Sequence, residues 1–93
     1  MRKIKQSAPF KRDLKREARG LHRAALREEF IELVAQLARD EPLNPRYRDH
    51  ALTGNQKGYR DCHIKPDLVL IYRKPADGTL RLIRLGSHSE LGL

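Results

Sequence analysis

The run Leu68-Val69-Leu70-Ile71-Tyr72 constrains this chain more than any other stretch. It is dense in apolar residues, and turn chemistry closes it on both sides. Lys65-Pro66-Asp67 precedes it, and Lys74-Pro75-Ala76-Asp77-Gly78 follows with an Asp-Gly hairpin signal. A strand with no polar face has to be covered on both faces, so the run is expected to be the central strand of a sheet. Neighbours are available on either side. Gly58 to Ile64 reads as a strand in which Tyr59, Asp61 and His63 share one face and Arg60, Cys62 and Ile64 the other. Leu80 to Leu85 reads as the last strand, and its Arg81 and Arg84 reach the same face only if a bulge intervenes.

The first half of the chain is helical in pattern. Residues 2–6 are short and basic and suit an edge strand. Ser7 can cap a helix, Pro9 fits its first turn, Phe10, Leu14 and Ala18 recur at helical spacing, and Gly20 is a stop. In a second helix Leu26, Phe30, Leu33, Val34 and Leu37 form one apolar stripe on a 3.6-residue period. His22, near its start, reads as a surface residue. Residues 40–45, with two prolines and an asparagine, are a loop. Residues 46–50 show no period, residues 51–54 suit a short strand closed by a turn, and the last five residues read as a tail. Helices followed by short strands and hairpin turns indicate an α+β fold: a small antiparallel sheet packed by an N-terminal helical hairpin.

The 93 residues suffice for one domain, 1–93, with a modest core. A net charge of +8 and a pI near 10.2 favour a polyanionic partner. The ends carry the excess: residues 1–20 hold eight basic and two acidic side chains, 21–45 three and five, and 46–93 nine and five. The single cysteine, Cys62, allows no intrachain disulfide framework, and a cytoplasmic location is expected. The basic N-terminus is followed by no apolar segment of the kind a secretory signal carries, and no run is long enough to span a bilayer, so no membrane partner is expected.

The chemistry-bearing residues lie mostly between 46 and 73. His50 and His63 stand there in a basic, tyrosine-bearing setting, and His88 lies near the end. A lone histidine on a strand is more often a surface or core group than a catalyst. Three that converge would make an acid–base catalyst for a negatively charged substrate. Cleaving RNA without a metal needs a base for the ribose 2′-OH, an acid for the leaving 5′-oxygen, and cations for the charged transition state. Asp61 or Asp67 could act as base or orient a histidine, and Arg60, Arg81, Arg84, Lys57 and Lys65 are candidates for phosphate contact. Tyr47, Tyr59 and Tyr72 could stack on a base or donate to phosphate. Alternation sets Cys62 and His63 on opposite faces, and no C-x-x-C or H-x-x-x-H spacing occurs, so no metal or other cofactor is expected. Cys62 reads as a small buried residue. No glycine loop for phosphate is present, which disfavours a nucleoside-triphosphate enzyme.

The order of motifs resembles a known family. A basic strand and two helices are followed by D-H-x-L-x-G at Asp49 to Gly54, K-G-Y-R-D-x-H-x-x-P-D at Lys57 to Asp67, an apolar strand ending I-Y, and G-S-H-S-E-L at Gly86 to Leu91. This is similar to the YafQ branch of the RelE/ParE toxin superfamily, over nearly the whole chain. The resemblance implies a RelE-like fold and the toxin of a type II toxin–antitoxin module. Such toxins enter the ribosomal A site and cleave mRNA there without metal, leaving a 2′,3′-cyclic phosphate. It implies as partners the 70S ribosome, with 16S rRNA met by the basic surface, the mRNA, and a cognate antitoxin that neutralises the toxin and represses the shared promoter with it. By position, the family's catalytic groups fall on His50, His63, Asp67 and His88. Asp67 and His88 resemble the base and acid pair, and His50 and His63 the phosphate-stabilising or supporting groups. Asp61, Arg81 and Arg84 fall on positions lining the same cleft.

Two positions depart from the pattern. Leu68 stands where many members carry tryptophan, and Gly92-Leu93 where many end in an aromatic. A base stacked at those places would lose a platform worth about 1–3 kcal/mol. The alternatives on the same fold are a non-enzymatic toxin of the ParE kind that poisons DNA gyrase, which has no need of the histidine set, and a catalytically weakened ribosome-binding module.

Overall fold

The computed structural model describes residues 1–93. Its elements run β1 (Lys3–Gln6), α1 (Ala8–Glu17), α2 (Arg23–Ala25), a π turn over Leu26–Phe30, α3 (Ile31–Ala38), β2 (His50–Ala51), β3 (Arg60–Lys65), β4 (Leu68–Arg73), β5 (Thr79–Gly86) and α4 (His88–Leu91). The sheet has five strands in the order β1-β5-β4-β3-β2. β4 is central, as its composition requires, and β2 to β5 form an antiparallel meander. β1 adds to the outer edge of β5 in parallel, so the sheet is mixed and not purely antiparallel. The connection from β1 to β5 carries the helices across one face of the sheet, which a parallel pairing demands.

Local chemistry accounts for the helical hairpin. Ser7 Oγ accepts the Phe10 N–H at 3.0 Å, and Pro9 occupies the first turn of α1. α2, the π turn and α3 continue one another and carry the apolar stripe: Leu26, Leu33, Val34 and Leu37 are buried, and Phe30 stacks on Phe10 at 6.1 Å. These side chains meet Cys62, Ile64, Leu68, Leu70, Tyr72, Leu80, Leu82 and Leu85 in the main core. Each fully buried leucine there contributes about 1.5–3 kcal/mol. Burial also pushes the Cys62 thiol far up its titration range, leaving it an inert packing group.

The other face of the sheet is covered more lightly. Val69, Ile71 and Leu91 form a small second cluster with Leu52, Tyr59 and Ile83 against it. Leu91 belongs to α4, so the last residues are no tail. Ser87 caps α4 in a capping box: its hydroxyl accepts the Glu90 N–H and the Glu90 carboxylate accepts the Ser87 N–H. Gly92, left-handed at φ 71°, ends it. In β5 the register steps from Ile71↔Arg84 to Tyr72↔Leu82, making Ile83 an extra residue. That bulge is the condition under which Arg81 and Arg84 share a face.

Candidate active site

Strand register assembles the site. β2 pairs His50 directly across from Asp61, and His63 lies two residues further along β3 on the same face. Val69 pairs with His63 on one side and Gly86 on the other, so the chain leaving β5 brings α4 up beside His63. The three histidines converge, with the His63 ring 6.2 Å from that of His50 and 5.0 Å from that of His88. Asp67 sits in the turn between β3 and β4. Its Oδ1 accepts both the His88 backbone N–H, at 3.2 Å, and His88 Nδ1, at 3.1 Å. The hydrogen bond from the His88 side chain, joined by that from its backbone, holds the Asp67 carboxyl below the usual carboxylate value. His88 Nε2 is left as the ring's free nitrogen.

Beneath the rings lies Asp61, only 3% exposed. His50 Nδ1 is 3.1 Å and His63 Nε2 3.7 Å from its Oδ1, yet that buried oxygen accepts no hydrogen bond. His50 Nδ1 donates to the Arg48 carbonyl at 2.7 Å instead, and His63 Nε2 stands beyond hydrogen-bonding distance. Burial raises the Asp61 pKa against the pull of the histidines. Burial likewise lowers that of His63, although Asp61 opposes the fall.

A cleft of about 430 Å³ opens beside this cluster, lined by His63, His88, Arg46, Arg48, Lys65 and Glu29 among others. Lys65 Nζ lies 3.0 Å from Glu29. Arg46 reaches Glu29 at 3.4 Å and the Tyr47 hydroxyl at 2.8 Å. Arg46 and Arg48 were not among the expected phosphate-binding residues, although they flank Tyr47 immediately before the D-H motif. Their place on the cleft wall follows from the tight turn over Pro45–Tyr47 and the left-handed Arg48, φ 50°.

The remaining candidates stand apart from the histidines. Arg60 points with the core side of β3 and donates to Asp49 and the Tyr72 hydroxyl. Arg81 is engaged by Asp77 at 3.0 Å and Arg84 by Asp13 at 2.6 Å. The guanidiniums expected to line the catalytic cleft are thus committed to carboxylates of the chain itself. Lys57 is exposed and lines none of the cleft. Tyr59 packs on the second cluster with the Arg73 guanidinium over its ring at 5.5 Å. Tyr72 and Tyr47 are buried, so neither offers a ring to a base, and Tyr72 donates to Asp49. Leu68 is fully buried in the main core, because alternation along β4 turns it to the helices. It is therefore no vacated stacking platform on this face.

His50, Asp61 and His63 also offer ligand atoms within 4.8 Å of one another. Two imidazoles and a carboxylate form a donor set that suits zinc or copper. Linear spacing conceals it because the donors come from two strands.

A family model described as a bacterial toxin of type II toxin–antitoxin system, YafQ, matches residues 2–92. The chain belongs to the YafQ toxin family. It is 39% identical to a putative toxin YafQ of Haemophilus influenzae, over 98% of this chain and 92% of that one. It is 37% identical to an mRNA interferase toxin YafQ of Escherichia coli, over 97% and 95% of the two chains. An mRNA interferase is an endoribonuclease. Among solved structures, a copper-bound mutant toxin from Helicobacter pylori superposes with a TM-score of 0.82 at 42% identity, covering 98% of this chain and 99% of that one. YafQ in the E. coli DinJ–YafQ complex superposes at 0.80 and 36% identity, covering 98% of each chain. This YafQ toxin is accordingly the toxin of a type II toxin–antitoxin system, with a small mixed α+β fold.

Proposed function

We propose that this YafQ toxin, acting as one domain over residues 1–93, is a ribosome-dependent, metal-independent endoribonuclease that cuts mRNA in the A site. The observation that carries the reading is the convergence of His50, His63 and His88, with the Asp67 carboxylate on His88, beside a cleft walled by Arg46, Arg48 and Lys65. A cleft of this kind receives a phosphodiester. The 2′-OH loses its proton, its oxygen attacks the adjacent phosphorus, and the bond to the 5′-oxygen breaks. The products are a 2′,3′-cyclic phosphate and a 5′-hydroxyl.

His88 supplies the proton to the leaving oxygen from Nε2, while Asp67 fixes the ring with its proton on Nδ1. Of the groups available to take the 2′ proton, Asp67 is a poor choice, because its lowered pKa keeps it ionised and weakly basic. Burial keeps His63 neutral at physiological pH, which suits it to that step, and we assign it the base role. His50, with Nδ1 donated to the Arg48 carbonyl, stabilises the phosphorane together with the cleft cations. The toxin works in the cytoplasm, where ribosomes are, and a cognate antitoxin neutralises it, as the DinJ–YafQ complexes of relatives suggest.

The test is to mix purified toxin with ribosomes carrying a defined mRNA in the A site, beside His88→Ala and free mRNA, in the presence of a chelator. Cuts confined to A-site codons, ending in a cyclic phosphate and lost with His88→Ala, are expected. Intact mRNA at every codon tested would overturn the reading.

A further inference from the structure

α4, which carries His88, is four residues long and cannot hold itself by backbone hydrogen bonds alone. Something outside it has to fix its angle to the sheet. Three ties are local to the site: the capping box, Leu91 in the second cluster, and Asp67 on His88. The fourth comes from the opposite end of the chain. Arg16 of α1 donates from Nε to Glu17 at 3.0 Å, with the Glu90 carboxylate 3.3 Å from the same nitrogen as an ion pair, donates from Nη2 to the Leu85 carbonyl at 3.0 Å, and donates from Nη1 to Asp13 at 3.1 Å. One guanidinium therefore joins α1, the end of β5 and α4.

Gly86 bears on this arrangement. Its backbone is not among the left-handed glycines, so conformation does not demand glycine there. A Cβ at Gly86 would meet Arg16 Nη2 at 2.9 Å and Glu90 Oε1 at 3.1 Å. The absence of a side chain is what lets the guanidinium lie against the strand end and reach Glu90.

We propose that Arg16 is a positioning residue for His88, acting through Glu90 and through the space left by Gly86. Arg16 lines no part of the cleft and bonds to none of the histidines. It sets α4, and α4 sets where the His88 ring stands relative to His63 and Asp67. The consequence for cleavage rests on the catalytic reading of His88 given above; the hold on α4 does not.

Two variants attack the arrangement from different sides. Arg16→Met removes the guanidinium, and Gly86→Ala displaces it while leaving every charge in place. Each is expected to speed hydrogen exchange of the Leu91 and Leu93 amides, which bond to Ser87 and His88 carbonyls. Each is expected to slow single-turnover cleavage on saturating programmed ribosomes by about 10- to 100-fold, the scale of a 1 Å misplacement. The double variant should lose little more than either alone, because both break one arrangement. Ribosome affinity should move with Arg16→Met by no more than one cation's share and not at all with Gly86→Ala. Circular dichroism melting on the same samples identifies a variant that fails to fold, and Glu90→Gln, which keeps an acceptor for the Ser87 N–H but loses the charge, then takes its place. Unchanged exchange and an unchanged rate in folded Gly86→Ala would overturn the proposal. So would a rate loss in Arg16→Met that disappears at saturating ribosomes, since that marks a direct role in gripping RNA. An inactive parent chain with α4 exchange accelerated in the variants would overturn the catalytic reading instead, and leave the hold on α4 standing.

Discussion

His63 keeps 14% of its side chain exposed, against 53% for His50 and 41% for His88. That difference makes it the histidine whose protonation the fold resists. Desolvation lowers its pKa from 6.5, and the Asp61 carboxylate only partly restores it. As pH falls below 6.5 the unfolded chain takes up this proton first, so stability declines until the folded value is passed, and is constant again below it. Asp61 acts oppositely and in a lower window. Its pKa is raised above 3.8, the folded chain is protonated first, and acidification through that window favours folding. Denaturant midpoints between about pH 7.5 and 5.5 should therefore fall in the parent chain and fall less in His63→Gln; equal slopes would show that His63 is not what the fold resists protonating. The same pair governs rate if His63 is the base. Asp61→Asn removes the charge that holds the His63 pKa up, so the acid limb of the cleavage profile should move to lower pH. A limb that stays put in a pH series with Asp61→Asn would exclude His63 from the base role.

At the level of elements, Asp13 is the pin between α1 and β5. It is 3% exposed and accepts from Arg84 Nε, the Leu85 N–H and Arg16 Nη1. Burial pushes its pKa up, but the bonds from Arg84 and Leu85 outweigh that and leave it below 3.8. Its contribution is thus complete at neutral pH and is lost as pH falls through the folded value. Asp13→Asn should cost about 2 kcal/mol in denaturant unfolding at neutral pH, less than the ~3–5 kcal/mol of a fully buried pair, because both guanidiniums remain partly hydrated. A cost under about 0.5 kcal/mol would put it with ordinary surface changes and deny the pin. None of this was legible in the sequence, where Asp13 is one acidic letter in a basic helix and its partners lie at the far end of the chain. What was legible is what period and turn chemistry encode: the central β4, the faces of β3, the stripe from Leu26 to Leu37, and the conditional bulge in β5. α4 was written in the sequence as Ser87-x-x-Glu90 before an apolar residue, and is missed only if the capping signal goes unread. The parallel setting of β1 was not written at all, since four exposed residues carry no mark of strand direction. The positions of the site histidines were legible through family motifs, whereas the central place of Asp61 depends on which residue of β3 faces His50.

For the molecule as a whole, many cations near the sheet and the cleft are engaged by carboxylates, whereas a row along the outer side of α1 is not. Arg16, Arg46, Arg60, Arg81, Arg84 and Lys65 all have carboxylates within 4 Å or hydrogen-bonding partners, and most border the sheet or the cleft. Lys11, Arg12, Lys15 and Arg19, on and just beyond α1, are exposed and form no ion pair. α1 packs on the core side of the sheet, opposite the face that bears Asp61 and His63, and Lys11, Arg12, Lys15 and Arg19 line no part of the cleft beside His63 and His88. On the proposed function, RNA met by these side chains contributes to affinity. Changing Lys11, Arg12 and Lys15 together to glutamine should weaken ribosome association at physiological salt and lower the slope of log affinity against log salt by about 0.7–0.9 for each phosphate no longer neutralised. On the proposed function, the cleavage rate on saturated ribosomes and the codons cut should not change, because the face bearing the three histidines is untouched. Sedimentation of the toxin with ribosomes across a salt series reads the first effect, and single-turnover cleavage reads the second. A salt slope equal to that of the parent chain would mean that α1 presents a merely solvated surface, and that the +8 net charge reaches RNA through the cleft wall of Arg46, Arg48 and Lys65 instead.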